Sequence, residues 1–236
     1  MLWEKHDRVF ILQGTQRDSN WFKAHRGRIS ASGVINAMGM GKFKTVEEYL
    51  LSLSSNNHEH FPHPARIRMQ NGVVREERVR RWFEKEYRLA VIEISMGVPD
   101  WEPYIGASPD GKIVGRKEGI EIKTTNNIAS YERLRRHIES EGTTISSQGV
   151  IFDSHYSQMQ LNMAVFNWDK MWYIVHDYTN GTTIVAEVLR DVGYIVVMIH
   201  LARKFIKDLL IPKIDEDPSY LPAMPLCDKD FSCRKR

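Results

Sequence analysis

The sequence of 236 residues has little cysteine: its two cysteines, Cys227 and Cys233, both lie near the C-terminus. Two cysteines exclude a disulfide scaffold, a four-cysteine zinc site and a four-cysteine iron–sulfur cluster, and few cysteines are typical of an intracellular protein. No run approaches 18 apolar residues, and the N-terminus has no apolar stretch. We therefore expect neither a membrane span nor a signal peptide.

An excess of charge of one sign is also missing. The 33 Lys and Arg residues nearly balance the 30 Asp and Glu residues, for a net charge of +3. This balance excludes a histone-like protein and an acidic disordered one. Residues 19–46 nevertheless contain no acidic residue and five basic ones: Lys23, Arg26, Arg28, Lys42 and Lys44. Such a segment suits a channel for a phosphate backbone, and a solvated surface face would explain it equally well.

Hydrophobic periodicity and turn residues predict an α/β fold with one central mixed β-sheet flanked by helices. A short predicted helix, capped within Asp18-Ser19-Asn20, carries Trp21 and Phe22, and a second starts near Ser30 or Ser32 and stops at Gly39. Further predicted helices cover about 45–53 (opened by a Thr45–Glu48 capping box), 67–87 (with Val73, Val79, Trp82 and Phe83 inward), 130–139, 154–166 and 191–210. Predicted strands cover 90–96, 104–107, 112–114, 119–123, 171–178 and 182–189. Residues 141–149 read as a mobile polar loop. We expect a single domain over 1–211, ended by Pro212, and a loosely packed C-terminal extension over 212–236.

The segment from Ser108 to Lys123 is the most informative for function. Asp110 lies in a Pro-Asp-Gly turn, and Glu121 and Lys123 are two residues apart on the predicted returning strand. Alternation places these two side chains on one face and Ile122 on the opposite, buried face. Two carboxylates and the Ile122 backbone carbonyl suit Mg²⁺, and a lysine beside them suits metal-assisted hydrolysis of a phosphodiester. Either motif alone is more often a structural turn or a solvated strand.

In this arrangement the sequence resembles the PD-(D/E)XK nuclease superfamily, and more narrowly the phage lambda exonuclease family, or YqaJ-type viral recombinase nucleases. The resemblance covers about residues 15–211. Five segments occur in the family's order: Trp21 with Ile29-Ser30-Ala31-Ser32, Gly72 with Glu76, Ser108-Pro109-Asp110-Gly111, Glu121-Ile122-Lys123, and Tyr156-x-Gln158-x-Gln160. It implies the restriction-endonuclease-like core of that superfamily.

The resemblance also implies roles for individual residues. Asp110, Glu121 and the Ile122 carbonyl would bind Mg²⁺, for which Mn²⁺ would substitute, with two ions per site. Glu76 would reach the metal through water or bind the second ion. Lys123 would be the catalytic lysine, and Gln158 would assist either Lys123 or the scissile phosphate.

Further residues would bind DNA. Ser30, Ser32, Ser108 and Gln160 would contact phosphates, and Met69 would wedge between terminal bases. The family's phosphate-binding arginine aligns with His25, so Arg26 or Arg28 would substitute for it.

At the level of function, the resemblance implies an exonuclease that degrades linear double-stranded DNA 5′ to 3′ and leaves 3′ single-stranded tails for recombination. It further implies a ring-shaped homotrimer and a single-strand annealing protein as partner. Two alternatives share the same core. One is a site-specific or structure-specific endonuclease, and the other is a catalytically dead DNA-binding protein.

Overall fold

A computed structural model describes residues 2–54, 63–125 and 128–223, with side chains for all of these except residues 63–71 and 128–130. The strands in this part of the chain are β1 (Trp3–His6), β2 (Val9–Leu12), β3 (Ile29–Ser30), β4 (Val91–Ile92), β5 (Gly97–Pro99), β6 (Ile105–Gly106), β7 (Gly111–Ile113), β8 (Glu118–Thr125), β9 (Thr144–Ile145), β10 (Lys170–Asp177) and β11 (Thr182–Leu189). The helices are α1 (Ser19–His25), α2 (Val34–Ala37), α3 (Val46–Ser52), α4 (His63–Tyr87), α5 (Ile128–Glu141), α6 (Asp153–Phe166), α7 (Val192–Phe205) and α8 (Ile211–Glu216). A π turn, Ile206–Leu210, joins α7 to α8, and a 3₁₀ turn covers Pro218–Tyr220.

The central sheet is mixed and has six strands in the order β4–β7–β8–β10–β11–β9. β8 and β10 run parallel, from Glu118 opposite Lys170 to Thr125 opposite Asp177. A parallel pair requires a long crossover rather than a tight hairpin, and α5 and α6 lie in this connection. β1, β2 and β5 form a separate three-stranded sheet, and β3 pairs with β6.

The alternation of side chains along β8 separates two layers of the molecule. Ile120 and Ile122 pack with Val79 and Phe83 of α4 in one hydrophobic cluster. Glu121, between the two isoleucines, points to the opposite layer and meets α6. The predicted assignment of Ile122 to the buried face and of Glu121 to the other face is therefore confirmed.

Residues 141–149 differ from the predicted mobile loop. β9 lies within this segment and pairs in parallel with β11 at the edge of the central sheet. Ile145 is 1% exposed and packs in the cluster between the sheet and α6. Ile145 thus anchors the segment to the sheet. The polar residues on both sides of it led to the prediction of a mobile loop.

Two expectations about helices are wrong. Val73 and Trp82 of α4 are 36% and 38% exposed rather than inward, so the buried stripe of α4 is narrower than predicted. Pro212 does not end the last helix, because α8 continues to Glu216 with Pro212 in its first turn. The π turn directly before α8 widens the backbone where a proline ring would meet the preceding turn.

The described part of the C-terminal tail is packed rather than loose. Tyr220 is 4% exposed and belongs to the main hydrophobic cluster. The carbonyl of Ala223 accepts a hydrogen bond from Arg28 at 2.7 Å. Cys227 and Cys233 lie outside the described residues. Within the described residues, no helix has the length and apolar character needed to cross a membrane.

Candidate active site

The site lies where β7 and β8 separate. The two strands pair at Gly111 opposite Ile120 and at Lys112 opposite Gly119. Beyond this ladder, Asp110 takes the place of a strand partner: its Oδ2 accepts a hydrogen bond from the Ile122 backbone N–H at 2.7 Å. The N–H and C=O of one strand residue point to the same side. The Ile122 carbonyl therefore faces the same edge as the Asp110 carboxylate, as a shared metal site requires.

Glu121 and Lys123 meet on the α6 side of the sheet. The Lys123 ammonium lies 2.7 Å from Glu121 Oε1. It also donates a hydrogen bond to Gln158 Oε1 at 3.0 Å. Glu121 is 1% exposed and the Lys123 side chain 27%, so the pair opens to solvent only through the lysine. Of the two partners predicted for Gln158, Lys123 and the scissile phosphate, the structure shows the contact with Lys123.

Asn162 is a further site residue, and the sequence analysis missed it. It is fully buried on α6, one turn beyond Gln158, and its Nδ2 donates to Glu121 Oε2 at 3.4 Å. Its Oδ1 has no hydrogen-bond partner among the described residues. Buried polar atoms almost always have a hydrogen-bond partner, so this oxygen is an exception. The spacing of Gln158 and Asn162, four residues apart on one helix face, was the signal that could have identified it.

Burial of the side chains and interactions between their charges shift the pKa values of the site residues. Burial, followed by the negative charges of Glu121 and Glu76, raises the pKa of Asp110 well above its ordinary value. Burial also raises the pKa of Glu121 against the opposing effect of Lys123. Burial alone would lower the pKa of Lys123, but the carboxylates of Glu121 and Asp110 outweigh it and raise that pKa. A bound cation would relieve this repulsion between the carboxylates of Asp110, Glu121 and Glu76.

Glu76 reaches the same place from α4. A cavity of about 230 Å³ is lined by Glu76, Asp110 and Ile122 together with Gln16, Arg17, Val73, Glu77, Arg80 and Glu93. Glu76 Oε2 accepts from the Arg17 guanidinium at 2.8 Å. Glu77 instead pairs with Arg80 and Arg81 of its own helix, so the two neighbouring glutamates are distinguished. Nothing within 4 Å would meet a Cβ on Gly72, so no close approach explains that glycine.

The donor set at the fork fits a hard divalent cation. Only Asp110 Oδ2 is engaged by the Ile122 N–H, and carboxylate and carbonyl oxygens are the ligands that Mg²⁺ accepts while it keeps several waters. Among the residues that the structure describes, no three His, Cys, Asp or Glu side chains cluster closely enough to hold a metal. Glu76 lines the cavity beside Asp110 without forming such a cluster.

The predicted phosphate pocket is only partly supported. Arg28 is 1% exposed and donates to the carbonyls of Pro103, Ala24 and Ala223. Its guanidinium holds the backbone together and does not reach solvent, so its prediction as a phosphate ligand is wrong. Arg26 is exposed.

His25 occupies the position of the family's phosphate-binding arginine. Its Nδ1 lies 2.9 Å from the carbonyl of Trp21, which can only accept, so Nδ1 carries the proton. Burial lowers the pKa of His25 to about 4. The neutral ring then presents an acceptor at Nε2 and cannot donate to a phosphate.

Among the other residues predicted to contact DNA, some are engaged inside the protein and some are accessible. Gln160 is fully buried, where it donates to the Leu189 carbonyl and accepts from the Asp191 N–H, so it is structural rather than DNA-binding. Ser108 donates its single proton to the Ser95 carbonyl, which leaves none for a phosphate oxygen. Ser30 and Ser32 lie 3.3 Å apart at their hydroxyls, and Ser32 is exposed. Met69 lies in α4, but its side chain is outside the described part of the chain.

Comparison with known proteins agrees with this geometry. Residues 20–169, more than half of the chain, match the family model described as YqaJ-like viral recombinase domain. The fold is similar to an alkaline exonuclease, LHK-Exo, from Laribacter hongkongensis, with a TM-score of 0.67 at 21% identity over 84% of this chain and 95% of that chain. LHK-Exo in complex with dAMP gives a TM-score of 0.68 at 22% identity, with the same coverage.

A phage-related exonuclease from Haemophilus somnus 129PT has a TM-score of 0.54 at 12% identity, over 80% of this chain and 96% of that chain. A search of curated proteins finds no match. Together with the mixed sheet flanked by helices, these likenesses confirm the predicted restriction-endonuclease-like core.

Proposed function

The chain belongs to the YqaJ-like viral recombinase family and is a deoxyribonuclease, and we propose that it is a Mg²⁺-dependent exonuclease that resects linear double-stranded DNA from its ends. One observation carries the proposal. Asp110, Glu121 and Lys123 converge where β7 and β8 separate, beside a cavity of about 230 Å³ that contacts Asp110 and Ile122. A buried pair of carboxylates with one ammonium suits phosphodiester hydrolysis.

The chemistry divides among named side chains. Asp110, Glu121 and the Ile122 carbonyl would hold Mg²⁺, which Mn²⁺ can replace, with Glu76 acting through water or at a second ion. The bound metal supplies an activated water and neutralises charge on the phosphate. Lys123 opposes the negative charge that develops on the phosphate, and its ammonium already points into the site. Gln158 holds that ammonium by accepting its hydrogen bond.

We further propose that cleavage proceeds 5′ to 3′ and leaves 3′ single-stranded tails for recombination. Family membership supports this direction. Arg26 and Ser32 are exposed near the N-terminal end of the described chain and are the available ligands for a 5′-terminal phosphate. Arg suits a phosphate because its guanidinium donates in a fork.

The proposed enzyme works as a ring-shaped homotrimer inside the cell, beside a single-strand annealing protein that coats its product. A ring holds DNA by topology, whereas electrostatic contacts weaken steeply with salt. Light scattering should therefore give a trimer mass, and digestion length after addition of a trap should resist salt better than initial loading. A monomer at micromolar concentration would eliminate the ring.

The decisive experiment compares end-labelled linear duplex with closed circular plasmid, each incubated with enzyme and Mg²⁺. The proposal expects degradation of the linear DNA, an intact circle, and loss of activity with EDTA. Cleavage of the circle would instead indicate the endonuclease alternative. Binding of both substrates without cleavage of either would indicate a catalytically dead DNA-binding protein.

A further inference from the structure

A second cleft lies beside the active site, and its lining is unlike that of the catalytic cavity. It has a volume of about 460 Å³, within the range of about 300–1,000 Å³ typical of ligand sites. Residues 32–44 supply one group of lining side chains, and residues 152–155 supply the other.

Exposed aromatic and apolar side chains mark this cleft. Phe43 is 96% exposed, Met40 49% and Phe152 38%. Phe43 lies in the segment between α2 and α3, directly between two lysines. A phenylalanine so fully exposed contributes almost nothing to the folded core. Its bare ring is instead available to a planar apolar partner.

The charge of the cleft indicates which kind of partner this is. Lys42 and Lys44 line it against the single carboxylate of Asp153, and they belong to the residue 19–46 segment that contains no acidic residue. Exposed aromatic rings interleaved with basic residues are the combination that binds single-stranded nucleic acid, because rings stack on bases while lysines contact phosphates. A duplex offers no free base faces to such rings.

Helix α6 connects the cleft to the active site. His155 lines the cleft and packs its ring against Phe152, with centroids 5.5 Å apart. Three residues later Gln158 contacts Lys123, and four residues further Asn162 contacts Glu121. This spacing places all three on one helix face, and three residues of α-helix rise about 4.5 Å. The cleft therefore lies next to the part of α6 that contacts the catalytic lysine.

We propose that this cleft is a base-stacking subsite for single-stranded DNA, in which an unpaired base next to the scissile phosphate stacks on Phe43 and Lys42 contacts the adjoining phosphate. The proposal rests on the proposed function, because the base that stacks in the cleft belongs to the strand that the enzyme cleaves. It makes Phe43 a substrate-binding residue and predicts that the enzyme recognises bases, not only phosphates, at the melted end.

The test is a binding cycle that removes the ring, the bases or both. The probe is a fluorescein-labelled dT12 oligonucleotide, and its matched partner has the same phosphates with abasic residues in place of the bases. Affinity is measured by fluorescence anisotropy in EDTA for wild type, Phe43→Ala, Phe43→Trp and the control Leu51→Ala, an exposed apolar residue of α3 outside the cleft.

We expect Phe43→Ala to weaken dT12 binding about tenfold, consistent with the stacking of one base. Phe43→Trp and Leu51→Ala should bind like wild type, and Phe43→Ala should bind the abasic oligonucleotide as wild type does. Because Phe43 is exposed, the variant should unfold at the wild-type temperature. Binding of dT12 by Phe43→Ala within twofold of wild type overturns the proposal, as does an equal loss on the abasic oligonucleotide. Failure of wild type to degrade linear DNA with Mg²⁺ would overturn the proposed function instead, since the binding cycle needs no cleavage.

Discussion

Replacement of Lys123 by methionine tests the charge balance of the site most directly. Methionine keeps much of the side-chain length and removes the ammonium that lies 2.7 Å from Glu121 and 3.0 Å from Gln158. At an effective dielectric of about 20, two unit charges at that shorter distance attract by about 6 kcal/mol, a gross value that desolvation reduces. Loss of one partner of a buried pair typically costs about 3–5 kcal/mol. We expect a loss of that size in the free energy of unfolding of the metal-free enzyme.

The same substitution should remove catalysis. Loss of one positioned group that stabilises transition-state charge lowers kcat by about 10²–10³-fold. Single-turnover cleavage of end-labelled duplex measures this loss, and urea unfolding in EDTA and in Mg²⁺ measures stability. Mg²⁺ should restore part of the lost stability, because a bound cation replaces the missing positive charge. Activity within about tenfold of wild type, or a change in unfolding free energy below about 1 kcal/mol, would refute the reasoning.

Three further predictions concern other residues of the site and its surroundings. Asp110→Asn should abolish cleavage and stabilise the metal-free protein, because it removes a buried charge while the amide oxygen still accepts from the Ile122 N–H. This gain in stability over wild type should grow as pH rises from 3.8, the ordinary pKa of an aspartate, through the raised pKa of Asp110. Arg28→Ala should lower the melting temperature, because it leaves two buried carbonyls and one half-buried carbonyl without this donor. Arg26→Ala should keep the melting temperature and reduce the preference for 5′-phosphorylated ends. Asn162→Leu should raise the Mg²⁺ concentration for half-maximal activity several-fold by releasing Glu121.

Each of these three predictions has an outcome that would contradict it. Equal stability of Asp110→Asn and wild type at pH 5 and pH 7.5 in EDTA would contradict the raised pKa. A stable Arg28→Ala with a lost 5′-phosphate preference would restore that residue to the pocket. For Asn162, the control Asn162→Gln keeps the amide group and changes its position relative to Glu121. An unchanged Mg²⁺ requirement in Asn162→Leu would leave the residue a purely structural role.

Local sequence patterns correctly predicted the elements that depend on neighbouring residues. The Thr45 capping box is present, with the Thr45 side chain accepting from the Glu48 N–H. β10 and β11 form the predicted hairpin, with Gly181 at a φ of 68° in its turn. The alternation of Glu121, Ile122 and Lys123 depends only on strand geometry, so the sequence alone identified their faces.

The sequence by itself therefore identified the three candidate residues at the centre of the site, Asp110, Glu121 and Lys123, and their spacing on a hairpin. Only the tertiary structure decided which other polar residues join them. Arg28 and Arg26 are two residues apart, yet Arg28 is buried and Arg26 is exposed. Two of the three carbonyls that accept from Arg28, those of Pro103 and Ala223, come from distant segments. Gln160 and Asn162 are two residues apart on α6, yet only Asn162 faces Glu121. The reason is physical: burial and hydrogen-bond partners come from segments far apart in the chain, and no local pattern records them.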